Sequence, residues 1–192
     1  YFYGVDNISH IRHAVIERID AEYGISSGSE YIEISNSIIR NNFCSSVIYF
    51  VAADDCRVLN SKIINNHGSY AVETSQCYSQ IFQGCLIADN IGGVKIRVHN
   101  SFIEARVSSC TIVNNNASSS YYNSILLFDH DVIVENTIIY GNLPKKITVM
   151  GYDDRETVIR YCNIELIEGG TFFDVNNGQN YVLVLENNIE SL

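Results

Sequence analysis

A short motif recurs about every 24 residues along this chain and constrains its fold more than any other feature. The clearest copies occupy residues 36–42, 60–66, 84–90, 109–115 and 136–142, and weaker copies occupy 12–15, 161–164 and 186–189. Each copy carries one central aliphatic residue, and these residues are Val15, Ile39, Ile63, Ile87, Ile112, Ile139, Ile164 and Ile189. A fixed period of roughly 20 to 50 residues is typical of a solenoid, in which each repeat buries its apolar face against its neighbours.

Alternating apolar residues before each motif predict a strand with one buried face. In successive repeats the alternating pairs are Ile32/Ile34, Cys56/Val58, Gln80/Phe82, Ala105/Val107, Val132/Val134, Thr157/Ile159 and Val182/Val184. The alternation then slips by one residue, at Asn36, Asn60, Gly84, Ser109 and Asn136. Because Asn and Gly tolerate the left-handed backbone conformation, we expect a one-residue bend there between a first and a second strand.

A third strand is expected after each motif, for example at residues 47–51 and 94–98. Three strands per repeat predict an all-β fold, a right-handed parallel β-helix of about eight coils with 24–27 residues each. We expect one domain over residues 1–192, in which residues 1–28 form an irregular first coil or a partial cap. Leucine-rich repeats, hexapeptide β-helices and β-sandwiches fit the period and its aligned positions less well.

The asparagine pairs predict a stack of amide side chains. Amide ladders form where identical side chains lie above one another in stacked β-structure. We expect this ladder to contain Asn41, Asn65 and Asn114, with Asp89 and Gly141 at the same position in other repeats.

Composition excludes several function classes. The formal net charge is −10, and the sequence pI is near 4.8. That charge argues against binding to nucleic acid or to an anionic membrane, and it permits cation binding. The chain has no apolar run of about 18 residues, which argues against a transmembrane helix. It begins at Tyr1 with no signal peptide, so we expect a processed form or a piece of a longer protein.

The six cysteines fit the repeat better than a disulfide framework. One repeat position holds only small residues, namely Ser37, Ser61, Cys85, Cys110, Thr137 and Cys162. We expect the three cysteines there to be free thiols that pack as small hydrophobic groups. Cys44, Cys56 and Cys77 lie near turns, and a Cys56–Cys77 disulfide is an open alternative. The redox compartment is therefore undetermined.

Three segments carry a family resemblance: Cys110-Thr-Ile-Val-Asn-Asn115, Glu135-Asn-Thr-Ile-Ile-Tyr-Gly-Asn142 and Val158-Ile-Arg-Tyr-Cys-Asn-Ile164. They resemble runs in secreted bacterial proteins with pectin-lyase-like β-helix repeats, and the resemblance covers roughly residues 31–192. It implies a right-handed parallel β-helix and a secreted or cell-surface location. The family mixes polysaccharide lyases, glycosidases and adhesins, so no single activity is implied. The usual greater length, N-terminal capping helix and C-terminal sorting tail are not evident here.

In the enzymes that this fold resembles, the site lies in a groove outside the third strand. The outward residues there are Tyr49, Glu73, Lys95 and Arg97, with His99 just beyond, and we expect them to bind ligand. A lyase needs a base and a cation that stabilises an enolate. Lys95 or Arg97 could serve as base or carboxylate clamp, and Glu73 could help to hold Ca²⁺. The alternative is a cross-strand charge ladder on a solvated face.

Acidic residues also cluster in the turns after the third strand. Asp129, Asp131, Asp153 and Asp154 fall on adjacent coils and could bind Ca²⁺, which prefers oxygen ligands. The alternative is that they are turn residues chosen for local hydrogen bonds. His10 and His13 have the spacing of a metal-binding pair but lack a third ligand nearby. His13 falls in the small-residue position, so we expect a buried or end-of-helix histidine.

The outer face of the second strand is apolar in several repeats. Its outward residues include Ile38, Ile64, Leu86, Val113, Ile138 and Tyr140. A large exposed apolar patch usually marks an interface, so we expect it to contact a protein partner or a second copy.

Two function classes fit these patterns. The favoured one is a non-catalytic extracellular or cell-surface rod for adhesion, surface display or carbohydrate binding. The alternative is a lyase or glycoside hydrolase that acts on an acidic glycan. Glycoside hydrolysis needs two carboxylates about 5 to 10 Å apart, and no acidic pair recurs in the groove on consecutive coils.

Overall fold

The structure is a computed structural model that describes residues 8–97, 105–117, 126–129, 132–144, 147–150, 156–165, 173–176 and 182–191. Within these residues the regular structure is β-strand throughout, and no helix there is long and apolar enough to cross a membrane. The strands form three sheets, and the chain visits the first, second and third sheet in turn. All the strand pairs are parallel, and each joins strands one repeat apart, for example Tyr31–Ser35 with Asp55–Leu59. This arrangement is a parallel β-solenoid, so the predicted all-β parallel β-helix is confirmed.

The described strands have four or five residues in the first sheet, three in the second and four to nine in the third. The first contains Ile8–Arg12, Tyr31–Ser35, Asp55–Leu59, Ser79–Gln83, Ala105–Ser108, Val132–Glu135, Glu156–Arg160 and Val182–Glu186. The second contains Val15–Glu17, Ile38–Arg40, Lys62–Ile64, Leu86–Ala88, Thr111–Val113, Ile138–Tyr140, Asn163–Glu165 and Ile189–Ser191. The third contains Asp20–Ser27, Phe43–Val51, His67–Ser75, Ile91–Arg97, Leu126–Asp129, Ile147–Met150 and Phe173–Asn176. Residues 8–27, which we expected to be irregular, thus form three regular strands.

The central aliphatic residues stack in register along the second sheet. Ile39, Ile63, Ile87, Ile112, Ile139 and Ile164 are consecutive register partners. All six are at most 3% exposed, and they pack in one core with the inward residues of the other two sheets. This column forms one side of the apolar core of the solenoid, because each residue covers the one in the next repeat.

The two terminal motif copies are offset by one residue from our prediction. Ile16, not Val15, pairs with Ile39, and Val15 is 57% exposed. At the other end Glu190, not Ile189, pairs with Ile164. In the last repeat of the first sheet, Leu183 and Leu185 rather than Val182 and Val184 continue the aligned columns. The cause is the position of the bends, which lie at His13 and Asn187 in these copies.

The predicted one-residue bends are confirmed. Asn36, Asn60, Gly84, Ser109 and Asn136 all have positive φ, between 48° and 64°. A second bend closes the first six second-sheet strands, and its positive-φ residues are Arg18, Asn41, Asn65, Asp89, Asn114 and Gly141. The left-handed conformation turns the chain in one residue, and Asn, Asp and Gly adopt it at low cost.

The amide ladder exists, but the sequence placed it one residue too early. The stacked, buried residues are Asn42, Asn66, Asn90, Asn115 and Asn142. Asn41, Asn65 and Asn114 instead occupy the second bend and are exposed. The side-chain oxygens of Asn66, Asn90, Asn115 and Asn142 each accept both the backbone N–H and the side-chain amide of the Asn one repeat earlier, whereas that of Asn42 accepts the backbone N–H of Ile19. The ladder therefore satisfies buried backbone groups at the corner between the second and third sheets.

All six cysteines are buried and free, which agrees with the expectation for Cys85, Cys110 and Cys162. In the small-residue column, Cys110 and Cys162 donate weak Sγ hydrogen bonds to Phe82 and Val134 carbonyl oxygens one repeat earlier, at 3.5 and 3.6 Å. Burial raises the pKa of the Cys56 and Cys162 thiols. The thiolate is the reactive form, so both burial and the raised pKa protect these groups.

We expect the folded protein to show fewer than one reactive thiol per chain towards an aromatic disulfide reagent at pH 8, and all six after denaturation in guanidinium chloride. The measurement is the absorbance of the released thiolate with time. Rapid labelling of several cysteines in the folded protein, under conditions where circular dichroism is unchanged, would contradict the buried placement.

Candidate functional site

Three residues that we expected to bind ligand lie side by side on the outer face of the third sheet. Tyr49 pairs with Glu73, and Glu73 pairs with Lys95. They alternate with Ile48, Val72 and Val94, which are buried in the core, so the three side chains point away from it. Parallel pairing in register brings together residues that are more than 20 positions apart in sequence.

Glu73 joins its neighbours into one polar cluster. Its carboxylate accepts a hydrogen bond from the Ser46 hydroxyl at 2.5 Å and one from the Lys95 ammonium at 2.9 Å. The Lys95 Nζ also lies 5.3 Å from the centre of the Tyr70 ring, within cation–π distance. The Glu73 and Lys95 side chains are only 15% and 21% exposed. The pair is therefore better shielded than a typical surface ion pair.

A pair of tyrosines adjoins this cluster. The Tyr23 and Tyr49 rings stack with centroids 4.5 Å apart and planes 14° apart. A hydrogen bond with Glu22 and burial raise the pKa of Tyr23 to about 12, so its hydroxyl stays protonated near neutral pH. We call the surface formed by Tyr23, Ser46, Tyr49, Tyr70, Glu73 and Lys95 the tyrosine face. It combines the half-buried rings of Tyr23 and Tyr49 and the buried ring of Tyr70 with hydrogen-bonding groups that are already oriented.

Sequence reasoning missed three members of the tyrosine face: Tyr23, Ser46 and Tyr70. These residues are register partners of one another at the start of the third-sheet strands. Tyr23 lies in the coil that we expected to be irregular, and Ser46 and Tyr70 precede the strands that we predicted. Ser46 and Tyr70 are 24 residues apart, one period of the repeat, so extending the predicted third strands three residues towards the N-terminus from Tyr49 and Glu73 could have found them.

The geometry limits the catalytic roles suggested for Glu73 and Lys95. An ammonium group has three donors and no acceptor, so Lys95 in this ion pair offers no lone pair to take a proton. Glu73 is likewise engaged by Ser46 and Lys95. This arrangement is that of the cross-strand charge pair given above as the alternative. Arg97 pairs through its backbone with Asp129, but its side chain and His99 lie outside the described residues.

The suggested metal sites are only partly covered by the structure. Asp129 ends its third-sheet strand beside Met150, and its side chain lies outside the described residues, as do Asp131, Asp153 and Asp154. Within the described part of the chain, no group of three or more His, Cys, Asp or Glu residues could hold a metal ion. His13 is exposed at a bend rather than in the small-residue column, which Ala14 occupies beside Ser37.

A second polar network, which sequence reasoning also missed, covers the outer face of the first sheet. Glu33 is nearly buried and accepts hydrogen bonds from Arg12, Tyr31 and Ser35. Burial acts to raise the pKa of Glu33, but the hydrogen bonds and the Arg12 charge outweigh it and lower the pKa. Outward positions of the same alternation, such as His10 and Arg57, could have indicated this face. Because its donors and acceptors bond to each other, we interpret this network as a feature that stabilises the first sheet.

Further along the same face, Glu135 lies between two arginines. It accepts hydrogen bonds from Arg106 at 2.7 Å and from Arg160 at 2.9 and 3.1 Å. Such a network of charges on neighbouring strands stabilises the sheet more than isolated surface pairs do.

The apolar residues expected on the second sheet are confirmed as outward register partners. One column contains Ile38, Leu86 and Ile138, interrupted by Lys62 and Thr111. The next column contains Arg40, Ile64, Ala88, Val113 and Tyr140. Ile138 and Tyr140 are 44% and 47% exposed, whereas Ile38, Ile64, Leu86 and Val113 are half-buried.

Comparison of this chain with protein-family models, curated proteins and solved structures found no match. The conclusions on its function therefore start from its own geometry.

Proposed function

We propose that this chain is a non-catalytic β-solenoid rod that binds carbohydrate along the tyrosine face, outside the cell or at its surface. One observation carries this proposal, namely the stacked Tyr23–Tyr49 pair next to the Glu73–Lys95–Ser46 cluster. The resemblance of residues 31–192 to secreted β-helix proteins supports the proposed location.

The tyrosine face has the chemistry that a sugar ring needs. Tyrosine offers an apolar ring with a polar end, and ligand sites typically combine aromatic surfaces with a few placed polar groups. Sugar hydroxyls both donate and accept hydrogen bonds, so a carboxylate and an ammonium held side by side can serve them together. Beyond the tyrosines the third sheet continues along the rod, which suits an extended chain rather than a compact ligand.

Charge favours a neutral polysaccharide over a polyanion. The chain has a formal net charge of −10, so its overall field repels acidic polymers. The main cation of the described tyrosine face, Lys95, is already paired with Glu73. The binding partner we propose is thus a neutral or weakly charged glycan, and the rod supplies a rigid surface for it.

We expect Tyr49→Ala to weaken glycan binding about tenfold, because a lost ring stack of about 1.4 kcal/mol corresponds to that factor. The measurement is calorimetry with the best ligand found on a panel of neutral and acidic polysaccharides. Tyr161→Ala is the matched control, since Tyr161 is 56% exposed at a bend away from the tyrosine face. Equal affinity of Tyr49→Ala and the unaltered protein, or no binding across the panel, would refute the proposal.

The alternative function, a polysaccharide lyase or glycosidase, is tested on the same panel. Elimination creates an unsaturated sugar with ultraviolet absorbance, and hydrolysis creates reducing ends. Formation of either product, with or without added Ca²⁺, would show that the chain is an enzyme and would contradict the proposed non-catalytic function. We expect neither, because the candidate base Lys95 is held as a hydrogen-bond donor.

A further inference from the structure

A second aromatic pair lies on the two strands that carry Tyr49 and Glu73. Phe43 and His67 are the first residues of these strands and are register partners. Their rings stack with centroids 4.1 Å apart and planes 7° apart. Phe43 is 59% exposed, and His67 is exposed as well. We call Phe43 and His67 the corner pair, because they lie where the chain passes from the second sheet to the third.

The corner pair and the tyrosine face lie near opposite ends of the same strands. Phe43 is six positions before Tyr49, and His67 is six positions before Glu73. These two strands pair without a shift of register over this stretch. A strand rises about 3.3 Å per residue, so about 20 Å separates the two aromatic groups along the strand direction. The corner pair is therefore a separate contact site on the same outer face.

The surface between the two aromatic groups is made of small residues. Ser45 is exposed, and Gly68 and Ser69 are half-buried. A side chain cannot be added at Gly68 without a shift of the backbone, because its Cβ would overlap the carbonyl oxygen of Cys44. Small residues between larger aromatic ones leave a shallow trough that follows the strands, and its serine hydroxyls can both donate and accept hydrogen bonds.

An extended ligand on the tyrosine face could follow the rod or cross the sheet, and burial decides between these directions. Along the rod, the outward column of Tyr49, Glu73 and Lys95 continues with Leu127 and Thr148. Thr148 belongs to this outward column but is only 1% exposed, so the column is closed to a ligand at that point. Across the sheet, the trough stays open as far as the 59% exposed Phe43.

We propose that the glycan crosses the third sheet along its strands, from the tyrosine face to the corner pair. This inference rests on the proposed function and adds the direction of the ligand and its second contact site. The ligand is a linear, neutral oligosaccharide at least about 20 Å long, the span of six strand residues. Its apolar ring surfaces pack against the two aromatic groups, and its hydroxyls meet the hydroxyls of Ser45 and Ser69 between them.

The test is calorimetry with oligosaccharides of graded length, cut from the best neutral polysaccharide of the panel. A chain long enough to reach both aromatic groups makes its second contact within the same complex, so we expect its affinity to be about tenfold higher than that of a shorter chain. Phe43→Ala should remove this gain and leave the affinity of shorter chains unchanged. Tyr49→Ala should weaken the binding of short and long chains alike.

Leu143→Ala is the matched control for Phe43→Ala. Leu143 is 57% exposed at the same corner of the solenoid, four repeats along the rod from Phe43. This variant should keep the full gain with chain length. Circular dichroism should show the same fold for all the variants, because the replaced side chains are exposed or half-buried on the outer surface.

The shortest chains separate failure of this inference from failure of the proposed function. If short chains bind and Tyr49→Ala weakens them, but the gain with length is absent, persists in Phe43→Ala or is lost equally in Leu143→Ala, the crossing path is wrong and the proposed function stands. If no oligosaccharide of any length binds, both are wrong.

Discussion

We expect Asn66→Ala to destabilise the fold by about 4 kcal/mol, because each buried group left unpaired costs about 1–3 kcal/mol. Asn66 is 2% exposed, and its oxygen accepts both the backbone N–H and the side-chain amide of Asn42. Its own amide donates to the Ile39 carbonyl oxygen and to Asn90. Alanine removes these four bonds at the corner of the solenoid, where water has no access to replace them. The measurement is the urea midpoint of unfolding followed by circular dichroism.

Asn65→Gly is the matched control for Asn66→Ala. Asn65 is exposed at positive φ, and glycine adopts this conformation without strain, so we expect a change within about 0.5 kcal/mol. If Asn65→Gly proved more damaging than Asn66→Ala, the ladder would have to consist of the first asparagine of each pair.

The second large effect is expected for Phe82→Ala, at about 3–5 kcal/mol, the usual range for a phenylalanine removed from a core. Phe82 is 1% exposed and lies between Val58 and Val107, its register partners in the adjacent repeats. The cavity is flanked by parallel strands whose backbones are held by pairing on both sides, so it can collapse only in part. We expect a lower urea midpoint of unfolding. We also expect faster amide hydrogen exchange in the flanking strands, because each repeat of a solenoid is stabilised by its contacts with the two adjacent repeats.

Ile81→Ala is the control for Phe82→Ala. It removes an aliphatic side chain from the same strand, but Ile81 is half-buried on the outer face. We expect a loss of about 1 kcal/mol, since less area leaves water there. Equal losses for the two variants would mean that the inward and outward faces of this strand had been exchanged.

Much of the fold follows from the repeat alone. The spacing of Ile39, Ile63 and Ile87 predicts stacked coils, and the structure aligns these residues as register partners. The slip of alternation at Asn36 and Asn60 predicts left-handed bends, and both residues have positive φ. These predictions succeed because period and alternation are local properties, and because few residues other than Asn and Gly tolerate a left-handed backbone.

The errors arise where two adjacent residues have the same chemistry. Nothing local distinguishes Asn41 from Asn42, yet one forms the second bend and the other joins the ladder. At the two ends the motif has decayed, so Val15 and Ile16 were equally good central residues. Which one faces inward depends on the repeat stacked against it, since a shift of one residue exchanges the two faces of a strand.

The candidate binding residues, too, could be predicted from the sequence only in part. The side-by-side placement of Tyr49 and Glu73 follows from the repeat, but the pairing of Lys95 with Glu73 and the hydrogen bond from Ser46 do not. Around Gly93 the register of the third sheet shifts, so counting in steps of 24 does not bring Lys95 to Glu73. The contacts of Glu73 with Lys95 and Ser46 depend on that irregularity and on side chains long enough to meet across neighbouring strands.

The parallel β-solenoid, its aliphatic column and its asparagine bends are all predictable from the chain alone, because those features repeat along it. Contacts between repeats in the folded chain decided which asparagine enters the ladder and which tyrosines stack. Those depend on the phase of the backbone and on neighbours one full repeat away, which no single segment of the chain encodes.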